Sequence, residues 1–139
     1  MNKEIADVYV DGSIRANGKP NAFGGVGVTA YHKGKNIVNF SQLVKVKTNN
    51  EAEYVAVYKA IKIMETINVD YRIYSDSQLI VNQINGKYEV RKQELKLLYE
   101  RVVFAMEVSE HYQGIKWIPR EENEKADELA QSITKEALS

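Results

Sequence analysis

The chain has no cysteine and only two histidines and two prolines among its 139 residues. Without thiols it can form neither a disulfide scaffold nor a zinc–thiolate site, and it has no cysteine nucleophile. Carboxylates are abundant, since 19 residues are Asp or Glu. A metal site in this chain should therefore be rich in oxygen ligands and suited to a hard cation.

Long apolar runs are also absent, and no segment approaches the roughly 18 apolar residues that span a membrane. The first ten residues lack the apolar stretch of a signal peptide. We therefore expect a cytoplasmic protein with no membrane association. The length fits one compact domain over residues 1–139.

Charge is balanced overall but unevenly distributed. The 19 basic residues match the 19 acidic ones, yet no acid occurs between Asp11 and Glu51, a stretch that contains six Lys or Arg residues. Such a block can form a basic face for a polyanion while the whole molecule stays neutral. The ordinary alternative is a set of solvated lysines on two hairpin strands.

The hydrophobic pattern changes from a strand period to a helical period after the first third of the chain. The predicted strands are 4–10, 23–31, 35–46, 70–75 and 113–118. The predicted helices are 50–67, 77–84, 93–109 and 123–137. This order predicts an α/β fold with a five-stranded mixed sheet, in which an antiparallel meander precedes parallel crossover strands and helices cover both faces.

Local signals refine these elements. Asp11, Gly12 and Ser13 predict a turn that ends the first strand, followed by a loop over 12–22. Asn49 or Asn50 is the expected N-cap of the long helix. In the helix over 93–109, the expected apolar faces come from five residues, namely Leu97, Leu98, Val102, Phe104 and Ala105.

Four acids do not fit a plain solvated surface. Asp11 and Asp76 each end an apolar strand, where ligand sites collect in α/β sheets. Glu53 shares the apolar stripe of the long helix, and Asp127 lies near the start of the last helix. Taken singly, each has an ordinary explanation as a turn residue or a first-turn helix acid. Together they would repel one another, and such a cluster persists mainly where a cation neutralises it.

Four short blocks resemble the signature blocks of type 1 ribonuclease H, in that family's order and with similar separations. They are 10–13 (VDGS), 48–53 (TNNEAE), 74–78 (YSDSQ) and 123–130 (NEKADELA). The resemblance covers nearly the whole chain and implies a ribonuclease H-like fold. It also implies an endonuclease that hydrolyses the RNA strand of RNA–DNA hybrids and leaves 5′-phosphate and 3′-hydroxyl ends.

Carried over by position, the resemblance implies that the catalytic residues and metal ligands are Asp11, Glu53, Asp76 and Asp127. They would hold two Mg²⁺ or Mn²⁺ ions, with Asp11 bridging both, Glu53 and Asp76 completing one site, and Asp127 completing the other. Glu51 occupies a variable position and is expected to be a solvated acid at the helix start.

The resemblance also implies contacts to the nucleic-acid backbone, and the residues at these positions are Gly12, Ser13, Asn17, Asn49, Asn50 and Gln78. Turn formation and N-capping are equally good explanations for Asn49 and Asn50. Discrimination of RNA from DNA would come from hydrogen bonds to 2′-hydroxyls. We expect a monomer whose partner is the hybrid, with no small-molecule cofactor.

The sequence departs from better-known family members in two places. The loop between the last strand and helix is shortened to residues 118–122 and lacks their histidine, so Arg120 is the nearest auxiliary cation. A salt bridge from Arg120 to Glu121 or Glu122 is the alternative. Asn123 matches a further family position and is expected to support the acids. The basic protrusion is also missing, which predicts weaker and more salt-sensitive binding.

These departures leave a second function open. A catalytically weak or inactive domain with this fold could bind nucleic acid or a protein partner. The presence of all four acids favours the enzyme, whereas the missing histidine and protrusion favour the binding module.

Overall fold

The computed structural model describes residues 5–16 and 19–138, in which five strands and four α-helices follow one another in the predicted order. The strands are β1 (Ala6–Arg15), β2 (Phe23–His32), β3 (Lys35–Val44), β4 (Tyr71–Ser75) and β5 (Tyr112–Trp117). The helices are α1 (Asn49–Ile67), α2 (Gln78–Ile84), α3 (Gln93–Val108) and α4 (Glu124–Leu138). A 3-10 turn, Arg120–Glu122, precedes α4.

The strands form one mixed sheet in the order β3-β2-β1-β4-β5. The pairs β1–β2 and β2–β3 are antiparallel, whereas β1–β4 and β4–β5 are parallel. Lys33 and Gly34 join β2 to β3 with positive φ angles of 54° and 79°, as two-residue hairpin loops require. The predicted α/β architecture is confirmed.

β1 is longer than the sequence predicts, and the turn expected at Asp11-Gly12-Ser13 is wrong. The strand continues to Arg15, with Gly12 paired to Val26 and Ser13 paired to Gly25. The antiparallel partner β2 is itself ten residues long, so ladder pairing outweighs the local turn preference of these residues. Asp11 therefore lies within the strand, and its side chain has a fixed face.

The main core lies between one face of the sheet and α1. Alternation along the strands directs Val8, Val10, Val26 and Val28 to this face. They pack into one cluster with buried residues of α1, namely Ala56, Val57, Ala60, Ile61 and Met64. This cluster anchors α1 against β1 and so sets the position of the helix start.

The start of α1 is capped by Thr48, which corrects the expected cap at Asn49 or Asn50. The Thr48 side chain accepts a hydrogen bond from the Glu51 backbone N–H, and Glu51 Oε1 accepts from the backbone N–H groups of Lys47 (2.7 Å) and Thr48 (3.1 Å). Glu51 therefore closes a capping box and is not simply a solvated acid.

α4 covers the opposite face of the sheet across two glycines of β2. A Cβ atom on Gly27 would lie 2.3 Å from the Ala126 carbonyl oxygen, and one on Gly25 would lie 2.3 Å from that of Ala130. Backbone-to-backbone contact of this kind is possible only without a side chain. Helices on both faces are thus confirmed.

α3 corrects a further expectation about burial. Leu97 and Phe104 are 61% and 65% exposed, whereas Leu95, Val102 and Ala105 are buried. Apolar residues occur on more than one face of this helix, and only one stripe can face the core.

Candidate active site

Asp11 occupies the centre of the sheet on the face covered by α4. It pairs with Gly27 across β1 and β2, and its side chain is only 6% exposed. Val8 and Val10 on the other face fix the register of the strand, since a slip of one residue would exchange the two faces. The fold thus places a carboxyl group where burial penalises its charge.

Glu53 reaches the same site from the first part of α1. A Cβ atom on Gly12 would lie 2.4 Å from the backbone carbon of Ala52, so the helix start can rest directly against β1. At this contact, Glu53 Oε1 accepts a 2.9 Å hydrogen bond from the Gly12 N–H. Gly12 therefore orients Glu53 through its backbone.

Asp76 follows β4, which runs parallel to β1. Asn123 Nδ2 donates a 3.2 Å hydrogen bond to Asp76 Oδ2, and Trp117 Nε1 donates one of 3.2 Å to the Asp76 backbone oxygen. The last residue of β5 thus holds the backbone of Asp76, and Asn123, which precedes α4, holds its carboxylate.

The three acids meet. Asp11, Glu53 and Asp76 each offer a carboxylate oxygen, and these three oxygens lie within 4.8 Å of one another. Hard oxygen donors this close, one of them almost fully buried, suit a divalent cation such as Mg²⁺ or Mn²⁺. The predicted convergence is therefore present for these three residues.

The pKa values of all three acids are raised. For Asp11, burial raises the pKa most, followed by the charge of Glu53, a hydrogen bond with Asp127, and the charges of Asp76 and Asp127. Burial and the charge of Asp76 raise the pKa of Glu53, although the Gly12 N–H opposes this. Burial also raises the pKa of Asp76, against the hydrogen bond from Asn123. The site thus favours either protons or a cation in place of three bare charges.

Asp127 lies at the same cavity but outside the group of three oxygens. Its carboxyl interacts with that of Asp11, Gln131 Nε2 donates to its Oδ1 at 2.9 Å, and Arg120 Nη2 lies 4.0 Å from its Oδ2. The cavity has a volume of about 400 Å³. Its lining residues are Asp11, Gly12, Ser13, Ile14, Asn49, Glu53, Asp76, Arg120, Asp127 and Gln131.

The expected nucleic-acid contacts divide into two groups. Gly12, Ser13 and Asn49 line the acidic cavity. Asn50 and Gln78 are outside its lining, and Gln78 is the exposed first residue of α2. Asn17 lies outside the described residues.

Two residues that contact the site were not singled out from the sequence. Gln131 follows Asp127 by four positions on α4, a spacing that could have revealed their hydrogen bond. Trp117 is brought beside Asp76 by the pairing of Ser75 with Trp117 in β4 and β5. This register depends on tertiary contacts, and no local sequence pattern predicts it.

Within residues 5–16 and 19–138, no helix is both long and apolar enough to span a membrane.

A mixed five-stranded sheet, helices on both faces and carboxylates meeting at its centre define a ribonuclease H-like α/β protein. Residues 3–135 match the family model described as RNase H, and the chain belongs to the RNase H family. The resemblance to type 1 ribonuclease H is thereby confirmed.

Individual relatives agree with this membership. Ribonuclease HI of Halobacterium salinarum is 30% identical over 132 residues, which cover 93% of this chain and 64% of that protein. The uncharacterized protein YpeP of Bacillus subtilis is 29% identical over 135 residues, which cover 91% of this chain and 57% of that protein. The chain thus spans less than two thirds of the length of these relatives.

A solved structure is similar over almost its full length. LC11-RNase H1, isolated from compost by a metagenomic approach, was crystallised in complex with an RNA/DNA hybrid. It is 31% identical, has a TM-score of 0.87, and the match covers 96% of this chain and 99% of that one.

Proposed function

We propose that this chain hydrolyses the RNA strand of RNA–DNA hybrids as a divalent-metal-dependent ribonuclease H. The observation that carries the proposal is the meeting of Asp11, Glu53 and Asp76 within 4.8 Å in a chain of the RNase H family. The similarity to LC11-RNase H1, solved with an RNA/DNA hybrid, supports this choice of substrate.

Asp11, Glu53 and Asp76 would hold a divalent ion, and Asp127 would complete a second site with Asp11. Two such ions would supply an activated water and stabilisation of the negative charge on the leaving 3′-oxygen, chemistry that would give 5′-phosphate and 3′-hydroxyl ends. The chain's own residues preorganise these carboxylates. The Gly12 N–H holds Glu53, Asn123 holds Asp76 and Gln131 holds Asp127.

Arg120 is proposed as the cation that faces the scissile phosphate or the product phosphate. Its side chain lines the acidic cavity and pairs with Asp127 at 4.0 Å, an observation that favours the site over the alternative salt bridge to Glu121 or Glu122. Because guanidinium presents donors in a planar fork, it can bind two phosphate oxygens at once.

Substrate binding is proposed to begin beside the acids. Gly12, Ser13 and Asn49 line the cavity, and Asn17, Asn50 and Gln78 would extend the contact along the backbone of the hybrid. The basic stretch from Arg15 to Lys47 would add attraction that weakens with salt. We propose that one copy of the chain suffices for this binding.

The test is cleavage of an end-labelled RNA–DNA hybrid in Mg²⁺ or Mn²⁺, with single-stranded RNA, duplex RNA and duplex DNA alongside. Asp11→Asn is the inactivating variant. Asp7→Asn is the matched control, because Asp7 lies on the same face of β1 and accepts a hydrogen bond from the Tyr74 hydroxyl that an amide oxygen can also accept.

We expect the wild type and Asp7→Asn to cleave only the RNA of the hybrid, and Asp11→Asn to cleave nothing. Equal cleavage by the wild type and Asp11→Asn would refute the assigned chemistry. If the wild type binds the hybrid but cleaves none of the four substrates, the chain is a binding module instead.

A further inference from the structure

Asp76 is held from two sides, by the end of β5 and by Asn123, the residue that precedes α4. On one side, the indole N–H of Trp117 donates to the Asp76 backbone oxygen at 3.2 Å. Next to it, the Ile118 N–H donates to the Ser75 backbone oxygen at 2.9 Å. The end of β5 therefore fixes the backbone from which the Asp76 side chain projects.

On the other side, Asn123 links the Asp76 carboxylate to β1. Its Nδ2 group donates both to Asp76 Oδ2 at 3.2 Å and to the Val10 backbone oxygen at 2.8 Å. Both partners are acceptors, so only the amide nitrogen can face them. Since Val10 directly precedes Asp11, this one amide relates the positions of two metal-binding acids.

The oxygen end of the Asn123 amide indicates the role of this residue. The side chain is 1% exposed, and among the described residues its Oδ1 atom is buried with no hydrogen-bond partner. A buried acceptor without a partner reduces stability. The donor end is thus satisfied at the expense of the acceptor end, which points to a role in the site.

We propose that Asn123 and Trp117 are positioning residues that fix Asp76 relative to Asp11 and thereby set the affinity of the site for a divalent cation. This inference rests on the proposed function only in assigning a metal to the three acids. Neither residue touches the reacting atoms. They act through Asp76, as outer residues that orient metal ligands do in other sites.

Metal binding without nucleic acid is the primary test, measured by calorimetric titration of Mn²⁺. Asn123→Leu keeps the approximate shape and removes the donor, and Trp117→Phe keeps an aromatic ring at this position but replaces the indole by a smaller phenyl group that has no N–H. Tyr74→Phe is the matched control, because it deletes a hydrogen bond of similar length from β4 to Asp7 without touching Asp76.

We expect Asn123→Leu to weaken Mn²⁺ binding by about 10-fold or more, the usual effect of losing a contact that orients a metal ligand. Trp117→Phe should weaken Mn²⁺ binding less than Asn123→Leu does, because the indole contacts the backbone of Asp76 and not its carboxylate. Tyr74→Phe should bind as the wild type does.

A spectroscopic signal gives a second readout. Trp117 is the only tryptophan of the chain, so the protein has one indole N–H resonance. Mg²⁺ should shift this resonance in the wild type, because the indole N–H donates a hydrogen bond to the backbone oxygen of Asp76. In Asn123→Leu the shift should require about 10-fold more Mg²⁺.

Kinetics separate positioning from a merely structural role. In the variants, the Mg²⁺ concentration for half-maximal cleavage should rise while KM for the hybrid stays unchanged, and saturating Mg²⁺ should restore most of kcat. Folded variants with wild-type Mn²⁺ affinity would overturn the proposal. If Asn123→Leu fails to fold, the Mn²⁺ affinity of Trp117→Phe decides.

The two proposals can fail separately. If the wild type binds Mn²⁺, the variants weaken that binding and no substrate is cleaved, then the positioning role stands and the nuclease assignment falls. If the wild type cleaves the hybrid and the variants leave Mn²⁺ affinity unchanged, the positioning role falls alone.

Discussion

At the scale of single residues, burial separates the acids of the site. Asp11 is almost fully buried, at 6% exposed, so its charge would be stabilised mainly by whatever binds in the cavity. Asp127 is less enclosed, since its side chain is 27% exposed, and it already contacts Arg120 and Gln131. We therefore expect substitution of Asp11 to affect the site more strongly than substitution of Asp127.

The first prediction concerns Asp11→Asn. At neutral pH, removing a buried carboxyl whose pKa is raised should increase the free energy of unfolding of the metal-free protein by about 1–3 kcal/mol. It should also abolish the stabilisation that Mg²⁺ gives the wild type. Thermal unfolding in EDTA and in Mg²⁺ measures both effects. A variant less stable than the wild type in EDTA would contradict the raised pKa of Asp11.

The second prediction concerns Arg120→Ala. It should lower the rate of hybrid cleavage by about 10-fold, below the usual loss from removing one transition-state donor because the side chain is largely exposed. Arg120→Lys should keep part of the rate, and Lys125→Ala at the start of α4 is the control. Steady-state rates on the labelled hybrid decide, and an unaffected Arg120→Ala would remove Arg120 from the mechanism.

At the scale of elements, two close approaches assemble the site. The missing side chain of Gly12 lets α1 rest on β1 and place Glu53. The missing side chain of Gly27 lets α4 rest on β2 and place Asp127. Direct backbone contact therefore fixes the positions of α1 and α4 against the sheet. Such contacts tolerate little added volume.

The third prediction follows from this packing. Gly27→Ala should reduce stability by about 1–3 kcal/mol through overpacking and should also lower cleavage, since it displaces α4. Gly34→Ala is the control. It too costs stability because Gly34 has a positive φ angle of 79°, but it lies in the β2–β3 hairpin. Chemical denaturation measures the stability of both variants, and cleavage rates measure their activity. An equal loss of activity in Gly27→Ala and Gly34→Ala would contradict the proposed role of the α4–β2 contact.

How far the sequence predicts this molecule depends on which interactions decide each feature. The order of elements and the convergence of Asp11, Glu53 and Asp76 follow from periodicity and from the family's motifs. The extension of β1 through Gly12 could not be predicted, because pairing with β2 decides it. The exposure of Phe104 and the contact between Trp117 and Asp76 likewise depend on which faces meet in the folded chain.

At the scale of the whole molecule, the acid site couples stability to pH and metal. The folded-state pKa values of Asp11, Glu53 and Asp76 lie above those of free carboxyls. Between the unfolded and folded pKa values, the folded state therefore binds more protons than the unfolded state, and stability falls as pH rises.

The fourth prediction is the resulting profile. In EDTA, the free energy of unfolding contributed by these acids should be greatest below about pH 4, the pKa of free carboxyls, and should decline as pH rises through their folded values. Mg²⁺ should oppose the decline by replacing protons. Denaturant unfolding across pH measures this, and Asp11→Asn should flatten the curve.

His111, at the far end of the sheet, adds a second decline of stability with rising pH. Its ring nitrogens lie 2.9 Å from Asp70 Oδ1 and 2.7 Å from Asn68 Oδ1, and the hydrogen bond with Asp70 raises its pKa above 6.5. The stability it adds is thus present below about pH 6.5 and lost as pH rises through its folded pKa. His111→Gln should remove only the decline that is due to His111. If neither His111→Gln nor Asp11→Asn changes the decline of stability with pH, the roles given to His111 and to the acids are both contradicted.

The central claim is that the carboxylates of Asp11, Glu53 and Asp76 hold the divalent ion that cleavage requires. Anomalous diffraction from crystals soaked in Mn²⁺, at a concentration that supports cleavage, tests it most directly. The account predicts an anomalous peak in contact with oxygens of these three residues. No peak there under those conditions, or a peak held by other residues, would contradict it.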